Sequence, residues 1–433
     1  MNMLAAVNRI KGIYRKEYER NPVFTLFLTI MIAFFAVFVI AAVISGGDTF
    51  YYVLNADRSK IFSDHFDSIL YSSDHPYTRL TDPVIYPPLV TVFYIILGQF
   101  IIPYVNIPPG ETLSARLIME TQMGITSFFI IMVLTFYALY LIVSKIMKEE
   151  SFRKKLMFLF TVVLAYPFIY AVERGNSVIL ALVFCFVFLL GYRSENKIIR
   201  YASYIALGCA AGIKLYPAIL LLLILRDRNY REAGICTAIV AALIFVPFIF
   251  TDGNPMILFD TILSHTDTRL GVTNINQIIL GIFQEWLGLS GWIATTISYA
   301  VIGVFTLLSV IVILFDREMK FWKVVALIAC NLILGLGVGV QYQVVYMMIP
   351  ILYFLAAEKE MTKENRFYAV CFAMTMVLMP GIMIAGIYPS AAIGAIESAF
   401  VIVIAIALLY EGLKRIYRNR RSEERTVSGT DAA

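Results

Sequence analysis

From Asn21 to Gly47 the chain carries no charged side chain. A helix rises about 1.5 Å per residue and needs about 20 apolar residues to cross a bilayer core of roughly 30 Å, so this segment is long enough to span. Comparable runs recur at 23–45, 86–104, 122–144, 156–172, 176–192, 201–225, 233–251, 293–315, 323–338, 341–357, 367–387 and 391–410. They predict an all-α, polytopic integral membrane protein of about 12 transmembrane helices, with residues 1–433 as one membrane-embedded domain. A composition of 60% hydrophobic and 15% charged residues, with mean hydropathy +0.80, leaves no room for a large soluble domain. Soluble enzymes, nucleic-acid binders and secreted disulfide scaffolds are thereby excluded. A membrane β-barrel would show alternating ten-residue segments, which these runs do not.

Two stretches are too long for one helix. Val324 to Ala357 is uncharged and would measure about 50 Å, so it must break, and Gly335-Leu-Gly-Val-Gly339 is the natural place. Gly386-Ile-Tyr-Pro-Ser390 divides Phe367 to Tyr410 in the same way. The first run is too long for a signal-peptide core and lacks a small-residue cleavage site, so it is expected as a retained span.

In such a chain the net charge of +5 records topology through the positive-inside bias rather than polyanion binding. The N-terminus, Arg226 to Arg231, Arg317 to Lys323, Lys359 to Arg366 and Lys414 to Arg425 are rich in cations, which makes both termini cytoplasmic and 411–433 a cytoplasmic basic tail. The long segments 46–85 and 252–292 hold six and three aspartates against three and one basic residues, and are expected outside. Simple parity also puts Lys145 to Lys155 and Arg193 to Arg200 outside although both are basic. Either the bias fails there or a neighbouring segment is re-entrant, which Gly212-Ile-Lys-Leu-Tyr-Pro217 would permit. The five cysteines (Cys185, Cys209, Cys236, Cys330, Cys371) lie in apolar runs without paired spacing, against disulfides and a zinc cluster. No internal repeat is visible.

All three histidines, His65, His75 and His265, fall in the two external loops. The first loop opens with Gly46-Gly-Asp48-Thr-Phe-Tyr51-Tyr52. A carboxylate at the lipid–water boundary beside two rings makes Asp48 the leading general-base candidate, against the plainer reading of an aspartate closing a helix end. The loop closes with Tyr86-Pro-Pro-Leu89, a rigid helix start. Between lie Asp57, Asp64, His65, Asp67, Asp74, His75 and Asp82, whose spacing matches no metal-ligand motif and reads as a polar surface loop. Glu173-Arg174-Gly175-Asn176 interrupts two apolar runs, as a simple interfacial turn also would. Lys214 sits inside an apolar stretch, where an unpaired cation costs about 2.5 kcal/mol or more; the alternatives are a functional site at a Tyr216-Pro217 kink or snorkelling to the interface. Glu397 and Gln341 are weaker intramembrane candidates.

Taken in order, Asp48-x-x-Tyr51-Tyr52, Tyr86-Pro-Pro-Leu89, Arg174-Gly-Asn176 and Lys214-x-Tyr-Pro217 resemble the C-type membrane glycosyltransferases, most closely their bacterial polyprenol-phosphate-mannose-dependent α-mannosyltransferase branch. The segment 252–292, with Asn274-Ile-Asn276-Gln277, looks like that family's second substrate loop. The resemblance implies transfer of a sugar from a polyprenyl-phosphate carrier to a glycolipid, glycan or protein hydroxyl at the outer face of the cell membrane, inverting, with Asp48 as base. No cofactor, metal or nucleic acid is implied. Many members carry glutamine before the asparagine, where this chain has Glu173-Arg174-Gly. The absence of a Gly-rich phosphate loop fits a donor dissolved in the bilayer. Lys214, with Arg79 or Arg269, is expected to neutralise the leaving phosphate, and Tyr51, Tyr52, Tyr86, Arg174, Asn176, His265 and Arg269 to line the donor site. Competing readings are a transporter or flippase of a lipid-linked sugar, which would want pathway charges in both halves, and a polysaccharide ligase or polymerase, which would want external arginine clusters.

Overall fold

The computed structural model describes residues 12, 15, 17–54, 60–73, 76–77, 86–251, 254–258, 260, 274–335, 341–380 and 389–430, and among them every regular element is helical. Local chemistry sets where the long helices begin. The Asn21 side chain accepts the Phe24 amide hydrogen at 3.2 Å, and Pro22 occupies the first turn, where its missing N–H leaves nothing unpaired. Helix α1 therefore runs from Pro22 to Ile44, roughly 35 Å, and stops where Gly46 and Gly47 adopt φ of 63° and 102°, which glycine takes without strain. Then come α2 (Asp48–Leu54), α3 (Ser63–Ser73), α4 (Pro88–Ile101), α5 (Ala115–Glu120), α6 (Gln122–Ile146), α7 (Phe152–Val163), α8 (Tyr166–Arg174), α9 (Val178–Gly191) and α10 (Lys197–Ile213). A 3-10 turn, Tyr216–Leu221, leads to α11 (Leu222–Arg226), followed by α12 (Tyr230–Phe245), α13 (Ile275–Leu280), α14 (Gly291–Phe315), α15 (Phe321–Leu334), α16 (Met348–Ala357), α17 (Lys363–Met374) and α18 (Pro389–Thr430).

Among the described residues five helices are long and apolar enough to cross a membrane: Pro22–Ile44, Gln122–Ile146, Tyr230–Phe250, Gly291–Phe315 and Ala392–Arg421; α7 and α8, meeting at 63°, make a sixth as a broken span. Helix α15 is the axis of the bundle. Every side chain from Trp322 to Leu334 is buried, with α14, α16 and α18 packed around it.

The basic segments gather at one end of this bundle through ion pairs. Lys154 meets Glu17 at 3.1 Å and Glu150 at 3.3 Å, and Glu150 meets Lys359 at 2.6 Å. Lys320 pairs with Glu358 at 2.6 Å, Lys323 with Glu364 and Glu411, and Arg415 with Asp316 at 2.8 Å. Arg193 pairs with Asp227 at 2.6 Å and Arg200 with Glu232 at 3.3 Å. Residues 145–155 and 193–200, which parity had put on the other side, thus lie at the same end as residues 17–21.

Two corrections to the span list explain this. The stretch 201–225 is not one crossing: α10 leaves the basic end, breaks at Lys214, and the turn with α11 returns to it, because Tyr216-Pro217 cannot continue the helix. The stretch 86–104 is not a lone crossing either. Tyr86 reaches Asn176, α5 packs on α3, and α6 then descends to the basic end at Ile146, so both ends of residues 86–121 belong to the opposite end. The break expected near Gly335 appears as the end of α15 at Leu334; the one expected at Gly386 to Ser390 opens earlier, since α17 already ends at Met374 and α18 starts at Pro389.

Candidate active site

At the end of the bundle opposite the basic segments, three parts of the chain converge on Asp64. The turn before α3 docks on the end of α8, with the Phe62 N–H donating to the Glu173 carbonyl at 2.6 Å. Helix α8 is closed by Gly175 at φ 65°, where a Cβ would lie 3.0 Å from that of His65 and 3.1 Å from the Phe62 backbone. Only glycine suits both the left-handed conformation and the space. The close approach lets Arg174 donate to Asp64 Oδ1 at 2.6 Å and Asn176 Nδ2 to Asp64 Oδ2 at 2.6 Å. Asn176 is fully buried and its amide orientation is fixed, since Oδ1 accepts the Val178 N–H at 3.0 Å.

Tyr86 completes the ring of contacts, its hydroxyl 3.5 Å from Asn176 Nδ2. Its backbone is held from behind: the buried Tyr77 hydroxyl donates to the Tyr86 carbonyl at 2.6 Å and lies 2.7 Å from the Thr91 hydroxyl. The Asn254 N–H donates to the Tyr77 carbonyl at 3.2 Å, so the second long loop touches the first here.

Lys214, at the break between α10 and α11, lies with Nζ 4.2 Å from the centre of the Tyr86 ring and 5.6 Å from that of Tyr342. Cation–π contacts of this kind hold an ammonium without neutralising it. Among the described residues no carboxylate comes within 4.0 Å of it, although it feels the field of Asp64. Asp64 and Arg174 pair with each other, and Lys214, held by the two rings, adds a positive charge beside them. An arrangement of this kind suits a singly charged phosphodiester.

The structure therefore brings together Tyr86, Arg174, Asn176 and Lys214 and adds Asp64 and Tyr342. Asp48, Tyr51 and Tyr52 stand apart on α2, all exposed, with the two rings edge to face at 5.5 Å. Helix α2 packs against α1, α8 and α18, so Asp48 and Arg174 sit on neighbouring elements. His265 and Arg269 lie outside the described residues, as does Arg79. His65 is an aromatic wall rather than a proton carrier: it packs edge-on to Phe66, Tyr94 and Phe128, and burial pushes its pKa down to about 4. Among the described residues no three His, Cys, Asp or Glu side chains group as a metal site. Asp64 and Tyr342 were not singled out from the sequence, because nothing local distinguishes either from its neighbours.

Fold and site define the class, a polytopic helical membrane protein with a cation-bearing polar cluster where its two long loops meet. The chain belongs to glycosyltransferase family 87, whose family model matches residues 84–338, more than half of the sequence, and it is thus a glycosyltransferase. No curated protein and no solved structure matches it. The matched stretch contains Tyr86, Arg174, Asn176, Lys214, His265 and Arg269, while Asp48 and Asp64 precede it and Tyr342 follows.

Proposed function

We propose that the chain transfers a sugar, mannose in the branch it resembles, from a polyprenyl-phosphate carrier to a glycolipid, glycan or protein hydroxyl at the outer face of the cell membrane. Both termini and the basic end of the bundle are then cytoplasmic, as the positive-inside bias requires. The observation that carries this reading is Lys214, an ammonium set between two tyrosine faces with no ion-pair partner among the described residues. An unneutralised cation in an apolar bundle is costly and calls for an anion; the phosphate of a lipid donor arriving sideways between helices supplies it.

Asp48 takes the base role. It is exposed at the start of α2, beside an apolar groove of about 560 Å³ lined by Phe35, Phe38, Gly47, Phe50 and Leu378, which offers a lipid-linked substrate an approach from the bilayer. The carboxylate accepts the acceptor hydroxyl's proton as that oxygen attacks the anomeric carbon. The bond from that carbon to the phosphate oxygen breaks on the opposite face, and the departing phosphate takes the electron pair towards Lys214. One base and one leaving group invert the anomeric centre with no carboxylate nucleophile.

Lys214→Met keeps an unbranched side chain of similar length while deleting the charge. In a transfer assay with polyprenyl-phosphate mannose it is expected to raise donor KM and lower kcat/KM by about 10² or more, with a melting temperature no lower than that of wild type. Wild-type kinetics in this variant would show that the lysine does not meet the donor.

A further inference from the structure

From Tyr342 a row of tyrosines continues. Tyr342 stacks on Tyr170 with ring centres 6.2 Å apart and 18° between planes, and Tyr170 stacks on Tyr166 at 5.9 Å and 24°. The row ends against α18, where Ile393 packs in one cluster with Tyr166 and Glu397 follows one helical turn on. Both Glu397 carboxyl oxygens and the Tyr166 hydroxyl are buried, and none of the three meets a hydrogen-bond partner among the described residues. Native interiors pair nearly all such atoms, and an orphan there signals a missing partner. Packing alone would be served by leucine and phenylalanine, as it is at Leu378 and Phe38 in the same cluster.

The row is at the right depth. Lys214 follows the 17-residue α10 up from the basic end, and Glu397 precedes Glu411, a basic-end residue, by 14 positions on one helix. Both stand roughly 21 to 25 Å above that end. Tyr170 and Tyr342 remain only partly buried, leaving ring surface open.

A hexopyranose supplies what these residues lack. Its C–H faces lie against aromatic rings, which offer an electron-rich face, and its hydroxyls both donate to and accept from a carboxyl and a phenol. We propose that Tyr342, Tyr170, Tyr166 and Glu397 form a sugar-binding subsite continuous with the Lys214 phosphate site. The inference rests on the lipid-phosphate reading above and names where the sugar lies. The same chemistry is presented by the donor's sugar and by a sugar acceptor.

The test measures binding to the purified full-length protein of three probes: farnesyl-phosphate mannose, bare farnesyl phosphate and methyl α-mannoside. Wild type is expected to bind the sugar-bearing lipid about tenfold more tightly than the bare one. Glu397→Leu and Tyr170→Leu should erase that advantage and leave bare farnesyl phosphate unchanged, whereas Glu397→Gln, which keeps hydrogen-bonding capacity, should retain most of it. If the subsite holds the acceptor's sugar instead, the same variants lose methyl α-mannoside. Unchanged affinity for both sugar-bearing probes in all folded variants would overturn the inference. Failure of wild type to bind bare farnesyl phosphate would count against the carrier reading alone, leaving the free-sugar arm to decide this one.

Discussion

Two carboxylates of the first loop are placed in opposite circumstances, and the difference assigns their roles. Asp64 is occupied: both its oxygens are bonded, to Arg174 and to Asn176, in a pair whose side chains are only 13% and 23% exposed. Asp48 is exposed and has no ion pair among the described residues, so its oxygens are available to an acceptor. Asp64→Asn strands Arg174 and should cost on the order of 3 kcal/mol of stability, seen as a lowered melting temperature. Asp48→Asn should melt as wild type does while turnover falls by about 10² to 10⁴. The reverse pattern, a stable and inactive Asp64→Asn beside an Asp48→Asn with more than about a tenth of wild-type turnover, would move the base to Asp64. The sequence shows six aspartates in this loop without ranking Asp64, since its partner lies 110 positions away and local pattern carries no such pairing.

Among the elements, α3 carries a pH-dependent contact beside the site. His65 lies on it, buried against three rings, with a pKa near 4 instead of the ordinary 6.5. The folded state thus holds the neutral ring. Its contribution is complete above pH 6.5 and is lost as pH falls from 6.5 towards 4, because the unfolded chain takes up the proton first; the gap corresponds to about 3 kcal/mol. Unfolding measured between pH 7 and 4 should show this loss in wild type and its absence in His65→Phe. Equal pH dependence in the two would contradict the burial. Helix breaks were the legible part of this scale where glycine or proline meets an apolar run too long for one span, as at Gly335 and Pro389, although Gly208 and Gly303 sit inside α10 and α14. Helix α4 was misread because an apolar run of its length has the same composition whether it crosses a bilayer or packs against α3 at one end of the bundle.

For the molecule as a whole, the ion pairs decide what counting spans could not. Seven cation-rich segments share one end because residues 86–121 begin and end at the other one and because α10 and α11 turn back at Lys214, and a hydropathy profile records each of these only as one more apolar run. If that end is cytoplasmic, a cysteine at Glu111 should react with an impermeant thiol reagent on intact cells and one at Glu195 only after lysis; the opposite result would invert the topology. Of the four motifs legible in the sequence, three meet at the other end around Asp64 and the Lys214 ammonium, a convergence visible only in three dimensions, while Asp48, Tyr51 and Tyr52 stand apart on α2. The central claim, sugar transfer from a lipid phosphate, is tested most directly by incubating the purified protein with an acceptor extract and a panel of radiolabelled donors, polyprenyl-phosphate sugars beside nucleotide sugars. The account predicts labelled product from a polyprenyl-phosphate sugar, mannose first, and none from any nucleotide sugar. Product from a nucleotide sugar alone would contradict it.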